Sequence, residues 1–162
     1  MNKNIKYFIF FLLILFYLFS RFYRLEELYT FSFDQYRDAW VVKQIIIDKK
    51  LVLIGPQSSF YGIFYGPGWY YSLVPFYWIF GLNPLGGAYS AIFYGLITLI
   101  LLWYIGEKFF SWKTGLTASL IYIFSCKINF LNRACRNDPP LMAFSLIILY
   151  LSFLVSTKEK PV

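Results

Sequence analysis

Carboxylates and arginines gather in two short stretches of an otherwise apolar chain. Asp34 and Arg37 stand three residues apart in the first stretch, and Arg133, Arg136 and Asp138 form the second. A carboxylate beside a hydroxyl group can act as a general base, and arginine makes strong hydrogen bonds to phosphate oxygens. These residue types would suit a site that binds a phosphate and removes a proton. A divalent metal held by Asp34 and Asp138 is a second possibility, because such ions prefer oxygen ligands.

Each residue also has a structural interpretation, and the spacing leaves both open. Asp34 falls in the first turn of a predicted helix, where a negative charge is favoured. Arg37 lies one turn later, so the two side chains can form an ordinary surface pair. Asp138 directly before Pro139 is typical of a helix start and is a predicted N-cap. For Asp34 and Arg37 the spacing alone favours the structural role.

The composition predicts an all-α integral membrane fold. Hydrophobic residues make up 59% of the 162 residues and charged residues 14%, whereas soluble domains contain about 25% charged residues. Four segments approach the roughly 20 apolar residues that cross a bilayer as a helix. They are residues 5–22, 88–105, 114–131 and 139–155. The basic residues are spread along the chain, so no nucleic-acid partner is predicted.

A fifth apolar segment, residues 67–80, is too short for a comfortable crossing. A helix of this length covers about 21 Å, and Pro75 lies inside it. Its tryptophan and tyrosine side chains favour the headgroup region of a membrane. The segment is therefore predicted to be an interfacial or partly re-entrant helix, and the alternative is a fifth span.

The placement of lysines selects between these topologies, because short cytoplasmic loops are rich in basic residues. With four spans, the lysines on the inside are Lys3, Lys6, Lys108, Lys113, Lys158 and Lys160. Residues 24–87 then form the first external loop. Residues 1–162 are thus predicted to be a single multi-pass module of the plasma membrane with its site on the external face. Lys6 and Arg21 are expected to reach opposite interfaces of the first span.

The external loop begins with a predicted amphipathic helix, residues 34–49, which would lie on the membrane surface next to the spans. Ser32 and Gln35 have the spacing of a capping box at its start. Its apolar side holds Tyr36, Ala39, Trp40, Val42, Ile46 and Ile47, and its polar side holds Asp34, Arg37, Asp38, Gln44 and Asp48. The carboxylates are expected to face water. The GPQSS loop that follows is interpreted as an ordinary turn, and close approach to a substrate is the alternative.

These motifs, in their order, resemble a family of membrane glycosyltransferases. After a first membrane helix the chain reads DQ at Asp34 and Gln35, with Arg37 one turn later, and then GPQSS, FYGPGWYY, FGLNP, GEKFF and RACRND. The order resembles the N-terminal third of GT-C fold enzymes, of the protein O-mannosyltransferase and aminoarabinose-transferase type (glycosyltransferase family 39). The resemblance spans nearly the whole chain.

The resemblance implies a reaction and roles for the site residues. Such enzymes transfer a sugar from a polyprenyl-phosphate carrier to an acceptor at the external face of the membrane. Asp34 would be the catalytic carboxylate, Arg37 would lie near the donor phosphate, and Asp138 would match a second acidic position. Tyr65 and Gly66 stand where some relatives carry an acidic and a basic residue, which argues against aminoarabinose-type acceptor chemistry.

The resemblance also implies partners. Family members have many more membrane helices, so the chain is expected to be an incomplete N-terminal part of a larger domain. It would be inactive alone, with a second chain supplying the missing helices, and it would contact membrane lipids and a lipid-linked sugar donor. The alternative function is a non-catalytic membrane assembly protein or a lipid-binding accessory protein.

Overall fold

The fold is all-α, as the composition predicted. A computed structural model describes residues 3–158, with side chains from 4 to 156, and this part contains eight helices. They are α1 (Lys3–Phe22), α2 (Leu25–Leu28), α3 (Phe33–Ile47), α4 (Gly68–Ile79), α5 (Leu85–Phe109), α6 (Trp112–Phe124), α7 (Cys126–Leu131) and α8 (Asp138–Lys158). Lys160 and the side chains of Lys3 and Lys158, which the predicted topology uses, lie outside the described residues.

Three helices of the described part are long and apolar enough to cross a membrane: Asn4–Phe22, Leu85–Phe109 and Asp138–Ser156. They match the first, second and fourth predicted spans. Large apolar side chains on α1 and α8, such as Phe19 and Ile148, are exposed. In a membrane helix such side chains contact lipid tails, so they need no protein partner.

The predicted third span, residues 114–131, is not one continuous helix. Ser125 adopts an extended backbone conformation and ends α6. Its Oγ then accepts a hydrogen bond from the Ile128 N–H at 3.4 Å and so caps the start of α7. Serine side chains compete with the backbone for hydrogen bonds and are favoured at helix starts. The apolar segment is therefore divided into two short helices.

The divided segment nevertheless joins the two ends of the bundle. At one end, Gly106 of α5 faces Gly115 of α6, and a Cβ on either would meet the other helix's backbone. Such small residues let membrane helices approach closely. At the other end, Arg133 Nη2 donates to the Tyr23 carbonyl, just after α1, at 2.8 Å. The chain thus runs between the two ends of the bundle four times. Helices α1, α5 and α8 each make one pass, and α6 and α7 together make the fourth.

The end of α1 forms a polar junction inside the bundle, composed of Tyr17, Arg21, Tyr122 and Asn132. Arg21 is 0% exposed, so its side chain is enclosed by protein, and its depth in a bilayer stays a prediction. Asn132 Nδ2 donates to the Tyr122 hydroxyl at 2.8 Å, and Tyr122 donates to the Gly95 carbonyl at 3.1 Å. Lys6, at the other end of α1, pairs with Glu107 of α5 at 3.3 Å.

Helices α3 and α4 pack on each other at the end of the bundle where α5 and α8 begin. Val42 of α3 and Leu73 and Tyr77 of α4 form their shared core. Ring contacts between this region and α5 involve the first part of α5: Phe76 of α4 lies 5.4 Å from Phe93, and Phe80, directly after α4, lies 4.3 Å from Tyr89 between centroids. Helix α4 therefore does not run along the length of the bundle and is not among the three long apolar helices. Its depth in a bilayer stays a prediction.

The predicted orientation of α3 is wrong for Asp38. Asp38 was expected to face water, but it is 4% exposed and lies on the side of α3 that α4 covers. Tyr36 and Trp40, from the predicted apolar side, are about half exposed. Helix α4 covers the part of α3 that holds Asp38 and Val42, and this contact buries both side chains.

Candidate functional site

A polar cavity of about 220 Å³ opens where α3, the segment before α4 and the start of α8 meet. Its lining residues are Ser32, Asp34, Gln35, Arg37, Asp38, Pro56, Gln57, Ser58, Ser59, Tyr65, Trp69, Cys135, Arg136 and Asn137. Burial raises the pKa of the Cys135 thiol to about 12. Cys135 therefore lines the polar cavity as a neutral thiol and does not act as a nucleophile.

The start of α3 presents Asp34 to the polar cavity. The Ser32 N–H donates to Gln35 Oε1 at 2.6 Å, which is one half of the predicted capping box. Asp34 is then in the first turn, with its side chain 74% exposed, and accepts a hydrogen bond from Arg37 Nη1 at 2.9 Å. The carboxylate is therefore open to a ligand on its remaining side.

Arg37 is shared between two carboxylates. Its Nε and Nη2 donate to Asp38 Oδ1 at 3.0 and 2.8 Å, while Nη1 reaches Asp34. Burial alone would lower the pKa of Arg37, but the hydrogen bonds and charges of Asp38 and Asp34 outweigh burial and raise it. The guanidinium therefore stays charged.

Asp38 is held from two sides. Its Oδ2 accepts a hydrogen bond from the Trp69 indole N–H, in the first turn of α4, at 2.7 Å. Burial raises the pKa of the Asp38 carboxyl, and the bonds from Trp69 and Arg37 act against that rise. Neither Asp38 nor Trp69 was predicted from the sequence to be a site residue. The pattern of polar and apolar residues in α3 does not indicate which other helix covers Asp38.

The segment between Gly55 and Tyr65 folds into a small hairpin that walls the polar cavity. The Gly55 N–H donates to the Tyr65 carbonyl at 3.0 Å, and the Ser58 N–H donates to the Ile63 carbonyl at 2.8 Å. A Cβ at position 55 would collide with the backbone of Tyr65 and Gly66, so only glycine fits there. The segment interpreted as an ordinary turn thus also lines the site, through Gln57, Ser58 and Ser59.

The start of α8 contributes Arg136 to the polar cavity. Arg136 Nε donates to Asp138 Oδ2 at 2.8 Å, so Asp138 stands beside Arg136 and is not itself part of the lining. Arg133 lies elsewhere, bonded to the Tyr23 and Arg24 carbonyls. Of the five predicted site residues, the structure brings Asp34, Arg37 and Arg136 to one cavity. Their roles stay predictions.

The arrangement does not fit the predicted metal pair. Asp34 pairs with Arg37 and Asp138 pairs with Arg136, so each proposed metal ligand faces a cation instead. Among residues 3–158, no three His, Cys, Asp or Glu side chains are grouped closely enough to hold a metal ion. The donor set of this cavity therefore favours binding of an anion by arginine.

An apolar groove of about 560 Å³ adjoins the polar cavity. Its lining residues are Pro56, Tyr65, Gly68, Trp69, Ser72, Tyr94, Asn137, Pro140, Leu141 and Phe144. Pro56, Tyr65, Trp69 and Asn137 line both spaces. The site therefore changes from charged to apolar over the width of a few side chains, which suits a ligand with a charged head and an apolar tail.

Comparison with known proteins gives one match. The sequence profile of the family described as dolichyl-phosphate-mannose-protein mannosyltransferase matches residues 66–162. The match covers more than half of the chain, from the end of the hairpin through α8, and includes Arg136 and eight of the ten residues that line the apolar groove. No curated protein and no solved structure is significantly similar to the chain.

Proposed function

We propose, from the premise that the chain belongs to the dolichyl-phosphate-mannose-protein mannosyltransferase family, that the polar cavity and apolar groove form its donor site. Membership of this family indicates that the chain is part of a membrane glycosyltransferase. The donor in this proposal is a sugar linked to polyprenyl phosphate, and the acceptor reacts at the external face of the plasma membrane. The observation that carries the proposal is the continuity of the two spaces.

The groove supports a donor that enters from the lipid phase. Tyr94 of α5 and Leu141 and Phe144 of α8 line it, and these residues belong to two of the long apolar helices. A chain of isoprene units buried there would gain about 25 cal/mol for each Å² of apolar surface removed from water. Its phosphate end would then meet the polar cavity at Trp69 and Asn137.

The two arginines of the polar cavity supply phosphate contacts. Arg37 donates three hydrogen bonds to Asp34 and Asp38, and Arg136 donates one to Asp138. A guanidinium has five N–H groups, so both side chains retain donors for phosphate oxygens. Such charge-assisted bonds stabilise the negative charge that develops on a phosphate leaving group.

Asp34 supplies the base in this proposal. Its carboxylate takes the proton of the acceptor hydroxyl as that oxygen bonds to the anomeric carbon of the sugar. The bond from the anomeric carbon to the phosphate oxygen breaks, and its electron pair leaves with the polyprenyl phosphate. Attack opposite to the leaving group inverts the anomeric centre. The hydrogen bond from Arg37 Nη1 holds the Asp34 carboxylate at the polar cavity.

The transfer reaction tests the role of Asp34. In native membranes that carry the variant in place of the normal copy, Asp34→Asn should abolish sugar transfer while the protein still inserts. Asp48→Asn is the matched control, because Asp48 is exposed at the end of the same helix, away from the polar cavity. Normal transfer with Asp34→Asn would reduce Asp34 to a helix-start charge and favour the lipid-binding accessory function.

Cysteine labelling tests the external placement of the site. Ser58 lines the polar cavity and Ser111 lies between α5 and α6, near the opposite end of the bundle. A membrane-impermeant thiol reagent should label Ser58→Cys on intact cells and leave Ser111→Cys unlabelled until the membrane is opened. Both variants carry Cys126→Ser, because Cys126 is exposed. Labelling of Ser111→Cys alone would place the site on the cytoplasmic face.

A further inference from the structure

We propose that Trp69 couples the apolar groove to the phosphate-binding arginine, so that a lipid chain in the groove strengthens phosphate binding at Arg37. The coupling runs through Asp38, which makes Trp69 and Asp38 positioning residues. The inference rests on the proposed function, since it places the phosphate beside Arg37 and the lipid chain in the groove.

Asp38 needs hydrogen bonds from both Arg37 and Trp69 to keep its carboxylate in place. Asp38 is 4% exposed, so water can supply few hydrogen bonds to its carboxylate in place of a lost protein donor. Arg37 occupies Oδ1, and the Trp69 indole N–H occupies Oδ2. A buried carboxylate oxygen that loses its donor carries a large desolvation cost. Without the indole N–H, the Asp38 carboxylate would turn toward another donor and move away from its present position.

Asp38 in turn sets the direction of Arg37. Two of the three hydrogen bonds that the guanidinium makes go to Asp38 Oδ1, and the third goes to the exposed Asp34. Asp38 is the fixed partner because it is buried, whereas Asp34 can rotate in solvent. An arginine that is already oriented loses less conformational entropy when it binds a phosphate.

Trp69 also forms a wall of the groove. It lies in the first turn of α4 and lines both the polar cavity and the apolar groove. A lipid chain packed against its side chain would restrict it to the rotamer that reaches Asp38. Because coupling between two binding events is reciprocal, an occupied groove and an occupied phosphate site should then stabilise each other.

The experiment measures the binding of two probes to the full chain in detergent micelles. Farnesyl phosphate carries a short isoprenoid chain and a phosphate, and farnesol carries the chain alone. The ratio of their dissociation constants reports the phosphate contact. Since both probes bind the same preparation, a partial loss of folded protein cancels in the ratio.

The wild-type chain should prefer farnesyl phosphate. Trp69→Phe keeps an aromatic ring in the groove and removes the indole N–H, and we expect it to lower the preference about tenfold. Asp38→Asn should lower the preference by a similar factor. The double variant should lose no more than either single variant, because both substitutions interrupt one path. Trp78→Phe is the matched control, since Trp78 is 72% exposed on the same helix, and it should behave as wild type.

Two results would overturn the inference while the proposed function stands: an unchanged preference in Trp69→Phe, or additive losses in the double variant. A wild-type chain that binds both probes equally would contradict the proposed function itself, and the inference would fail with it. Trp69→Phe alone decides the case if Asp38→Asn does not fold.

Discussion

Arg21 and Arg37 are both held by well-defined partners, but only Arg37 is held by carboxylates. Arg37 lies at an open cavity between Asp34 and Asp38. Arg21 is fully buried, and its recorded partners are the Ser20 hydroxyl at 2.8 Å, the Ile123 carbonyl at 3.3 Å and the ring of Tyr17 at 4.7 Å. The same type of side chain thus occupies two different environments.

The surroundings of Arg21 explain how a buried cation is tolerated there. Arg21 lies in the last turn of α1 and bonds a carbonyl in the last turn of α6. Helix ends carry partial negative charge, and the break at Ser125 leaves the Ile123 carbonyl without a helical partner. The Tyr17 ring adds a cation–π contact. These partners are backbone and core groups that enclose the guanidinium, so Arg21 has no access to a ligand.

Access to a solvent-filled cavity, and not charge or free donors, distinguishes a ligand-binding arginine from a structural one, because Arg21 Nε also lacks a hydrogen-bond partner but is fully buried. Arg37 retains N–H groups at a solvent-filled cavity, and its main partner, Asp38, depends on a further contact with Trp69. Substitution of Arg21 should therefore affect stability, whereas substitution of Arg37 should affect phosphate binding.

Arg21→Ala should destabilise the fold by about 3 kcal/mol, because it leaves a cavity and an unpaired carbonyl in the core. Thermal unfolding in micelles measures this loss. Arg24→Ala is the control, since Arg24 is exposed and paired with Glu27 on the surface, and it should cost less than about 1 kcal/mol. Equal losses in the two variants would show that the polar junction is not needed for the fold.

Gly95→Ala should destabilise the fold by about 2 kcal/mol through overpacking. A Cβ at this position would collide with the Tyr17 hydroxyl and come within 2.7 Å of Asn132 Nδ2. At Gly68 a Cβ would meet nothing within 4 Å, so Gly68→Ala should leave stability unchanged or slightly raised. Chemical unfolding curves of both variants give the comparison. A neutral Gly95→Ala would mean that the junction is loosely packed.

Arg37→Lys should lower the preference for farnesyl phosphate over farnesol about tenfold, equivalent to about 1.4 kcal/mol. Lysine keeps the positive charge beside Asp38, so the loss of stability should stay below about 1 kcal/mol. The ammonium cannot bridge Asp34 and Asp38 with a planar fork. The two binding constants and the melting temperature are the readouts. A large loss of stability without a change in preference would make Arg37 a structural residue like Arg21.

The pH dependence of stability should show a small contribution from Asp38. Burial raises the pKa of this carboxyl above its ordinary value of 3.8. Between the ordinary and the raised pKa the folded state binds more protons than the unfolded state, so this contribution to stability falls as pH rises. Melting temperatures of wild type and Asp38→Asn from pH 4 to pH 8 measure it. If the difference in melting temperature between wild type and Asp38→Asn is the same at every pH, the pKa of the Asp38 carboxyl is not raised in the folded state.

The parts of the fold that the sequence predicted follow from local apolar runs. Three of the four predicted spans are single helices, because an apolar run of that length has few alternatives in a membrane. The break at Ser125 was missed, since the surrounding residues are as apolar as those of an unbroken span. The burial of Arg21 was also missed, because the sequence does not show which helix ends will meet around it.

The site was predicted in its residue types but not in its assembly. Asp34, Arg37 and Arg136 meet at one cavity, while Arg133, three residues from Arg136, faces a different part of the molecule. Their spacing cannot separate the two arginines, since the turn between α7 and α8 decides where each one lies. Asp38 was expected to face water, but it is buried, and its burial depends on Trp69, thirty-one residues away.

In the proposed donor site, the apolar groove receives the lipid chain of a phosphate-bearing donor. Photo-crosslinking with a farnesyl phosphate that carries a diazirine on its chain, followed by mass spectrometry, tests this most directly. We expect labelling of Tyr94, Leu141 and Phe144, which line the groove, and loss of that labelling with excess unmodified farnesyl phosphate. Labelling centred on Ile148 and Val155, on the same helix but outside the groove, would contradict it.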